Sequence, residues 1–343
     1  MAIIDKPSNK FSAQFWTGTG NAQNITGVDF QPDLVITKAQ YATSQGYFFD
    51  AIRGATKFLA AQTSDAEGTS AQSLKSFNSD GFTIGTANEV SYNGETWAAW
   101  SWKANGQGSS NTAGTINTTY TSVDVDSGCS IIKYTGNGSA NATIGHGLGV
   151  APAMIFFKNL ASNNWIVYHR SLGTGHYLTL NTTGASDSAS GAWCTPSATL
   201  IQFNQVFGAT NTSNANYMAY CFAEKDLYSK FGSYVGNDST NGSFVYLPFK
   251  PAFVMIKRTN SANDWIVLDN KRNPFNVLNT QSHLNTTASA TVTTSLDFLS
   301  NGMKMRATYG GINGANDSFV YMAFAQNPFV TSTGNGSIPC TAR

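Results

Sequence analysis

The sequence predicts an all-β protein built from three tandem β-sandwich repeats of jelly-roll or lectin-like type. Three observations carry this expectation: a low-charge composition of strand and turn formers, recurrent two-residue turn signals, and one ordered set of segments that occurs three times.

Charged residues make up 11% of the 343-residue chain, against roughly 25% in an ordinary soluble protein. The polar surface must therefore come from Asn, Ser, Thr and Gly, which serve turns and strands. No apolar run approaches the roughly 18 residues of a spanning helix; the longest, 153–157, follows Pro152. Membrane insertion is not expected. The net charge is +1 without a basic block, and polyanion affinity needs clustered Lys and Arg, so nucleic acid is not expected as a partner. Residues 1–7 carry no apolar signal core. Asn-x-Ser/Thr triplets such as Asn137-Gly138-Ser139 follow from composition. Cys129, Cys194, Cys221 and Cys340 are too widely spaced for a metal knuckle or a disulfide ladder and read as reduced thiols.

Each unit opens with an aromatic residue and a Gly-rich turn: Phe15-Trp16-Thr17-Gly18, Tyr134-Thr135-Gly136 and Tyr234-Val235-Gly236. A proline-led apolar strand follows, with Lys38, Lys158 and Lys257 each six residues after Pro32, Pro152 and Pro251. Met154, Phe156 and Lys158 share one face of that strand and Ile155 and Phe157 the other, so the strand is interior. Next come Tyr47-Phe48-Phe49-Asp50, Trp165-Ile166-Val167-Tyr168 and Trp265-Ile266-Val267-Leu268, closed by Arg53, Arg170 and Arg272. The closing aromatic strand starts at Trp97, Tyr217 and Phe319, which stand 65, 65 and 68 residues after the unit's proline. Asn-Gly pairs at 93–94, 137–138, 241–242, 301–302 and 313–314, with Asp80-Gly81, signal hairpins. Helical periodicity is confined to a turn or two at 71–77.

These marks divide the chain into an N-terminal arm (1–12), a first repeat (13–104), a Gly/Ser/Asn/Thr linker (105–128), a second repeat (129–230), a third repeat (231–330) and a C-terminal tail (331–343). The second and third repeats abut and are expected to pack rigidly. Either terminal extension could grip a neighbouring subunit.

Catalytic motifs are not signposted. Four glutamates, Glu67, Glu89, Glu95 and Glu224, and scattered aspartates give no marked pair of the kind a glycosidase needs. No nucleophile elbow, zinc helix or P-loop occurs, and the glycines of 145–149 have no helix behind them to cradle a phosphate. Asp124-Val125-Asp126-Ser127-Gly128 resembles the start of a calcium loop, but Thr135 stands where a bidentate Glu belongs, which favours a solvated turn. His146, His169, His176 and His283 have no ligand spacing. No catalytic residue, cofactor or metal is therefore assigned. Lys38, Lys158 and Lys257 read as snorkelling or ion-paired with Asp50 or Asp269, and Arg53, Arg170 and Arg272 as pins of the turn after the strand. Trp165 and Trp265 read as core. Trp16, Trp193 and Tyr309 stand near turns and are the candidates for exposed rings that stack on sugars.

At these repeat motifs the sequence resembles a family of tandem repeats in predicted virion proteins of marine tailed bacteriophages. The matching segments include 27–34, 49–57, 79–82, 220–224 and 229–234, with Ile4-Asp5-Lys6-Pro7-Ser8 at the start. The resemblance implies a tail-fibre, receptor-contact or other external virion component, and it brings no catalytic residues. The resulting expectation is a non-enzymatic virion surface protein, assembled in the bacterial cytoplasm. It would be tail-associated, bind host surface glycans multivalently, contact other virion proteins and form a homo-oligomer, a trimer. A capsid decoration or head fibre, a free lectin-like module and a polysaccharide depolymerase are the alternatives.

Overall fold

The computed structural model describes residues 4, 6–41, 43–189 and 191–328; the expected tail, Cys340 and the first residues of the arm lie outside them. The fold is all-β, with antiparallel strand pairing throughout the named sheets.

The first unit has a six-stranded sheet in the order Phe11–Thr17, Thr96–Trp102, Leu34–Ala39, Gly46–Asp50, Lys57–Ala60, Gly68–Thr69. A three-stranded sheet, Gln23–Thr26, Gly81–Ile84, Leu74–Asn78, covers one face. The second unit repeats the plan with Cys129–Thr135, Asn216–Phe222, Met154–Asn159, Ile166–His169, His176–Thr179 and Asp187–Ser188, plus Tyr120–Asp124 at the edge. Its covering sheet is Ala142–Gly145, Leu200–Phe203, Cys194–Pro196. In the third unit the two sheets run into one eight-stranded sheet, because Leu278–His283 pairs with Thr291–Leu299.

The closing strands explain why apolar residues occupy both faces. Successive side chains alternate across a sheet, and here each face meets a different core. Trp97 and Ala99, Tyr217, Ala219 and Cys221, and Phe319, Tyr321 and Ala323 pack inside their own units. Their alternates, Trp100 and Trp102, Tyr220 and Phe222, Met322 and Phe324, belong to one further core shared by all three units. The last residue of each alternating set meets its counterparts directly: ring centroids are 5.6 Å apart for Trp102–Phe222, 5.6 Å for Trp102–Phe324 and 6.1 Å for Phe222–Phe324. The three large sheets thus close around a common axis. Burying each such ring stabilises the assembly by roughly 1.5–3 kcal/mol.

Three local expectations are corrected. Residues 71–77 are not helical: Leu74–Asn78 is a strand that pairs with Gly81–Ile84 across the Asp80-Gly81 turn. The turn chemistry and the pairing outweigh the weak period. The one α-helix among the described residues is instead Asn88–Ser91. The expected linker is built into the fold, since Tyr120–Asp124 is a strand, Ser109 bridges Thr121, and Ile116 is buried in the second unit's core. Its small polar residues satisfy backbone groups rather than leave them free, as where Ser122 Oγ accepts from Asn105 N and Thr118 Oγ1 from Asn111 N (both 2.8 Å). Of the Asn-Gly and Asp-Gly signals, Asp80-Gly81 and Asn301-Gly302 join adjacent antiparallel strands. The Asn137-Gly138 turn leads between sheets instead, and it and the corresponding Asn237-Asp238 turn of the third unit are held by the side chains of Asn211 and Asn313.

Candidate functional site

The repeated lysines lie under the joints between units. Lys38, Lys158 and Lys257 are 1%, 0% and 0% exposed. Among the described residues no carboxylate lies within ion-pair distance of them, and their hydrogen bonds go to carbonyls. Each Nζ donates to one carbonyl of its own loop and one of a neighbouring unit: Lys38 to Ser44 and Thr286, Lys158 to Asn163 (2.5 Å) and Ser64 (3.0 Å), Lys257 to Asn263 (2.8 Å) and Thr183 (3.0 Å). First unit bonds third, second bonds first, third bonds second. Burial pushes all three ammonium groups down to about 8. The expectation of ion pairing with Asp50 or Asp269 is corrected: register sets Lys38 against Gly46 but Asp50 against Leu34 and Asp269 against Phe253, at the other end of the strand pair, where Arg53 and Arg272 engage those carboxylates.

Asp50 and Asp269 pair with Arg53 (2.6 Å) and Arg272 (2.7 Å), pinning the turns as expected. Arg170 differs: it follows directly on His169 and pairs with Glu224. The strand register also shifts the expected alignment. Thr37 pairs with Tyr47, Phe157 with Ile166 and Ile256 with Ile266. Gly46 is therefore the counterpart of Trp165 and Trp265, and Asp50, His169 and Asp269 are equivalent. The sequence match had placed Tyr47 against Trp165, one residue out, because aromatic character outweighed register.

Two of the three candidate sugar-stacking rings are not at the surface. Trp16 is 8% and Trp193 1% exposed, whereas Tyr309 is 40% exposed. Trp16 Nε1 donates to Val90 O and Trp193 Nε1 to His176 O (both 2.9 Å), so one indole holds the Asn88–Ser91 helix and the other the start of the His176–Thr179 strand. Trp165 and Trp265 are core, and each donates Nε1 across a unit boundary, to Ala60 O and Thr179 O. At the expected solvated turn, Lys10 lies 2.6 Å from Asp124 and 3.8 Å from Asp126. Cys129, Cys194 and Cys221 are buried free thiols whose deprotonation burial disfavours. No three His, Cys, Asp or Glu side chains converge as metal ligands among the described residues, and no helix there is long and apolar enough to cross a membrane.

A surface cleft of about 510 Å³ opens on the first unit, lined by Thr43, Ser44, Gln45, Tyr47, Asn88, Glu89, Tyr92 and Trp97. Its size falls within the roughly 300–1,000 Å³ of small-ligand sites. One wall is the loop after the proline-led strand, tied to the third unit by Ser44 N–Thr287 O (3.0 Å) and Ala290 N–Gln40 O (2.7 Å). The other wall is the short helix and Tyr92, anchored on the opening turn by Gly20 N–Ser91 O (2.7 Å) and Gly94 N–Gly18 O (2.8 Å). Gly18 permits that contact, since a Cβ there would lie 2.2 Å from Tyr92 O. Tyr92 is 53% exposed. Gln45 Oε1 accepts from Tyr47 Oη (2.8 Å) and Glu89 Oε1 from Ser73 Oγ (3.2 Å). Burial, with Glu89 nearby, pushes the Tyr47 hydroxyl up to about 12, so it remains a donor at neutral pH. Trp97 carries a buried Nε1–H without a partner among the described residues. None of the sequence candidates lies in this cleft. Only Tyr47 and Trp97 of its lining belong to the repeated segments, and only the divergence of the first copy from the other two could have marked the rest.

A family model described as a domain of unknown function (DUF7483) matches residues 6–328. No curated protein matches the chain.

Proposed function

The chain belongs to the DUF7483 family, and we propose that it is a non-catalytic surface component of a bacteriophage virion, tail-associated and in contact with host glycans through the first unit's cleft. The observation that carries the reading is the cyclic closure of three sandwiches around one shared core. Such a block is suited to bearing load and displaying loops, because its unit boundaries are buried and hydrogen-bonded. The low-charge, hydroxyl- and amide-rich exterior and the resemblance to virion repeats support the same assignment. Repetition of the chain on a particle, as homotrimers or by attachment to other virion proteins, would convert weak single contacts into avidity.

A capsid decoration is the second reading, favoured by one feature: the three units form a compact cluster and supply no fibre shaft. Gold labelling of intact particles with antibody against this chain separates the two. Label on the tail is expected. Label over the head would replace the tail reading with decoration. Absence of the chain from blots of purified particles would overturn the virion assignment.

A further inference from the structure

The three units repeat each other closely enough for position-by-position comparison, and the first departs from the others at its cleft. Trp16 Nε1, Tyr134 Oη and Tyr234 Oη donate to the carbonyls of Val90, Thr210 and Ile312, which fixes those residues as equivalents. Three residues earlier stand Ala87, Phe207 and Tyr309, whose carbonyls accept from Ser91, Asn211 and Asn313. The second and third units therefore carry an aromatic ring where the first has a methyl group.

In the third unit Tyr309 Oη reaches Asn263 Oδ1 (3.4 Å), the counterpart of Ser44 on the opposite wall. Its ring covers Gly311: a Cβ on that glycine would lie 2.3 Å from Tyr309 Cε1. The first-unit counterpart of Gly311 is Glu89. A small residue at 87 removes the plug, and side chains at 88 and 89 replace Gly310 and Gly311. The opening is thus built by complementary changes on one wall.

We propose that this cleft binds an uncharged saccharide, with a single site of this kind per chain, on the first unit. Tyr92 offers a half-exposed ring as a stacking face. Asn88, Gln45 and Thr43 supply amide and hydroxyl groups that match sugar hydroxyls. Glu89 can accept two hydroxyl hydrogens at once and is the only formally charged side chain on the lining among the described residues. Among the described residues no cation lines the cleft with it, so an acidic or sulfated sugar would meet repulsion without compensation. This inference rests on the reading of the chain as a glycan-contacting surface protein and names the ligand class and the unit that takes it.

The test is saturation-transfer NMR on the full chain. One set of probes is glucose, galactose, mannose, N-acetylglucosamine and their disaccharides; the other is sialic acid, glucuronic acid and a sulfated disaccharide. Transfer to neutral probes alone is expected. The double variant Ala87→Tyr, Glu89→Gly rebuilds the third unit's plug, an arrangement this fold already contains. It should keep the wild-type melting temperature while weakening binding about tenfold or more, as loss of stacking and charge-assisted hydrogen bonds together implies. Tyr92→Ala should weaken binding while leaving the cleft open. Absence of a neutral-sugar response, an equal response to acidic sugars, or binding that survives the double variant would overturn the proposal. Particle labelling is an independent readout. Sugar binding by a chain absent from virions keeps the site and removes the virion reading; labelled virions without sugar binding do the reverse.

Discussion

At the equivalent positions 50, 169 and 269, chemistry is matched across unit boundaries. Tyr220 Oη donates to Asp50 Oδ2 (2.7 Å) and Trp100 Nε1 to Asp269 Oδ2 (3.2 Å). The third counterpart of those donors is Met322, which has none, and there the facing residue is His169. Its Nδ1 accepts from Ser171 N, which leaves Nε2–H to donate to Tyr321 O (3.1 Å). Burial holds the His169 imidazolium down to about 4. Between pH 6.5 and 4 the unfolded chain binds a proton there that the folded chain does not. Stability from this residue is therefore full above the unfolded value and lost as pH falls through that window, by about 3 kcal/mol. Urea midpoints at pH 7 and pH 5 should differ less for His169→Asn, which keeps a donor for Tyr321 O and does not titrate; an unchanged difference would sink the assignment. Lys158→Met should cost about 2–4 kcal/mol in the same assay, because the carbonyls of Ser64 and Asn163 lose their shared buried donor.

At the scale of the element, a strand's register decides which core each residue enters. The closing strands alternate between two cores, so a one-residue slip would exchange Trp100 and Trp102 for Trp97 and Ala99. The turn after Gly46–Asp50 holds register at its end, through Asp50 Oδ1 to Arg53 N (2.9 Å) and Arg53 Nη2 to Phe48 O (2.8 Å). Both side chains of the Asp50–Arg53 pair are fully buried. Asp50→Asn is expected to destabilise by about 3–5 kcal/mol, because the buried guanidinium loses its close counter-charge and keeps only Glu67 at 3.6 Å. Replacing both residues, Asp50→Asn with Arg53→Met, should recover a large part of that loss. A double-mutant cycle reads the difference, and additive losses would show that the pair does not act as a unit.

For the whole molecule, cyclic closure implies joint unfolding. The rings of Trp102, Phe222 and Phe324 meet across all three boundaries, and each buried lysine spans one of them. Removing any unit would expose the apolar face that its neighbours need covered. Calorimetry of the full chain should give a single transition, with calorimetric and van't Hoff enthalpies agreeing. Resolved transitions for separate units would mean that the shared core contributes little.

The all-β class, the triplicated plan and the two-faced burial of the proline-led strands were legible in the sequence, because alternation and recurrence survive in one dimension. Met154, Phe156 and Lys158 do share a face, and the Asp50–Arg53 and Asp269–Arg272 turns were read correctly. What faces those strands was not legible. Nothing local distinguishes an indole buried in its own unit, such as Trp16, from one at a surface turn. Nor does local sequence tell an ion-paired lysine from one bonded to a neighbour's carbonyls some hundred or more residues away in sequence, as Lys38 is to Thr286. The cleft is the extreme case. It exists because Ala87 and Glu89 stand where another unit has Tyr309 and Gly311, a difference that acquires meaning only once strand register and the carbonyl acceptors align the copies in space. Periodic burial is a property of the chain, whereas closure of the three units and the opening between two loops depend on distances that only the assembled sheets set.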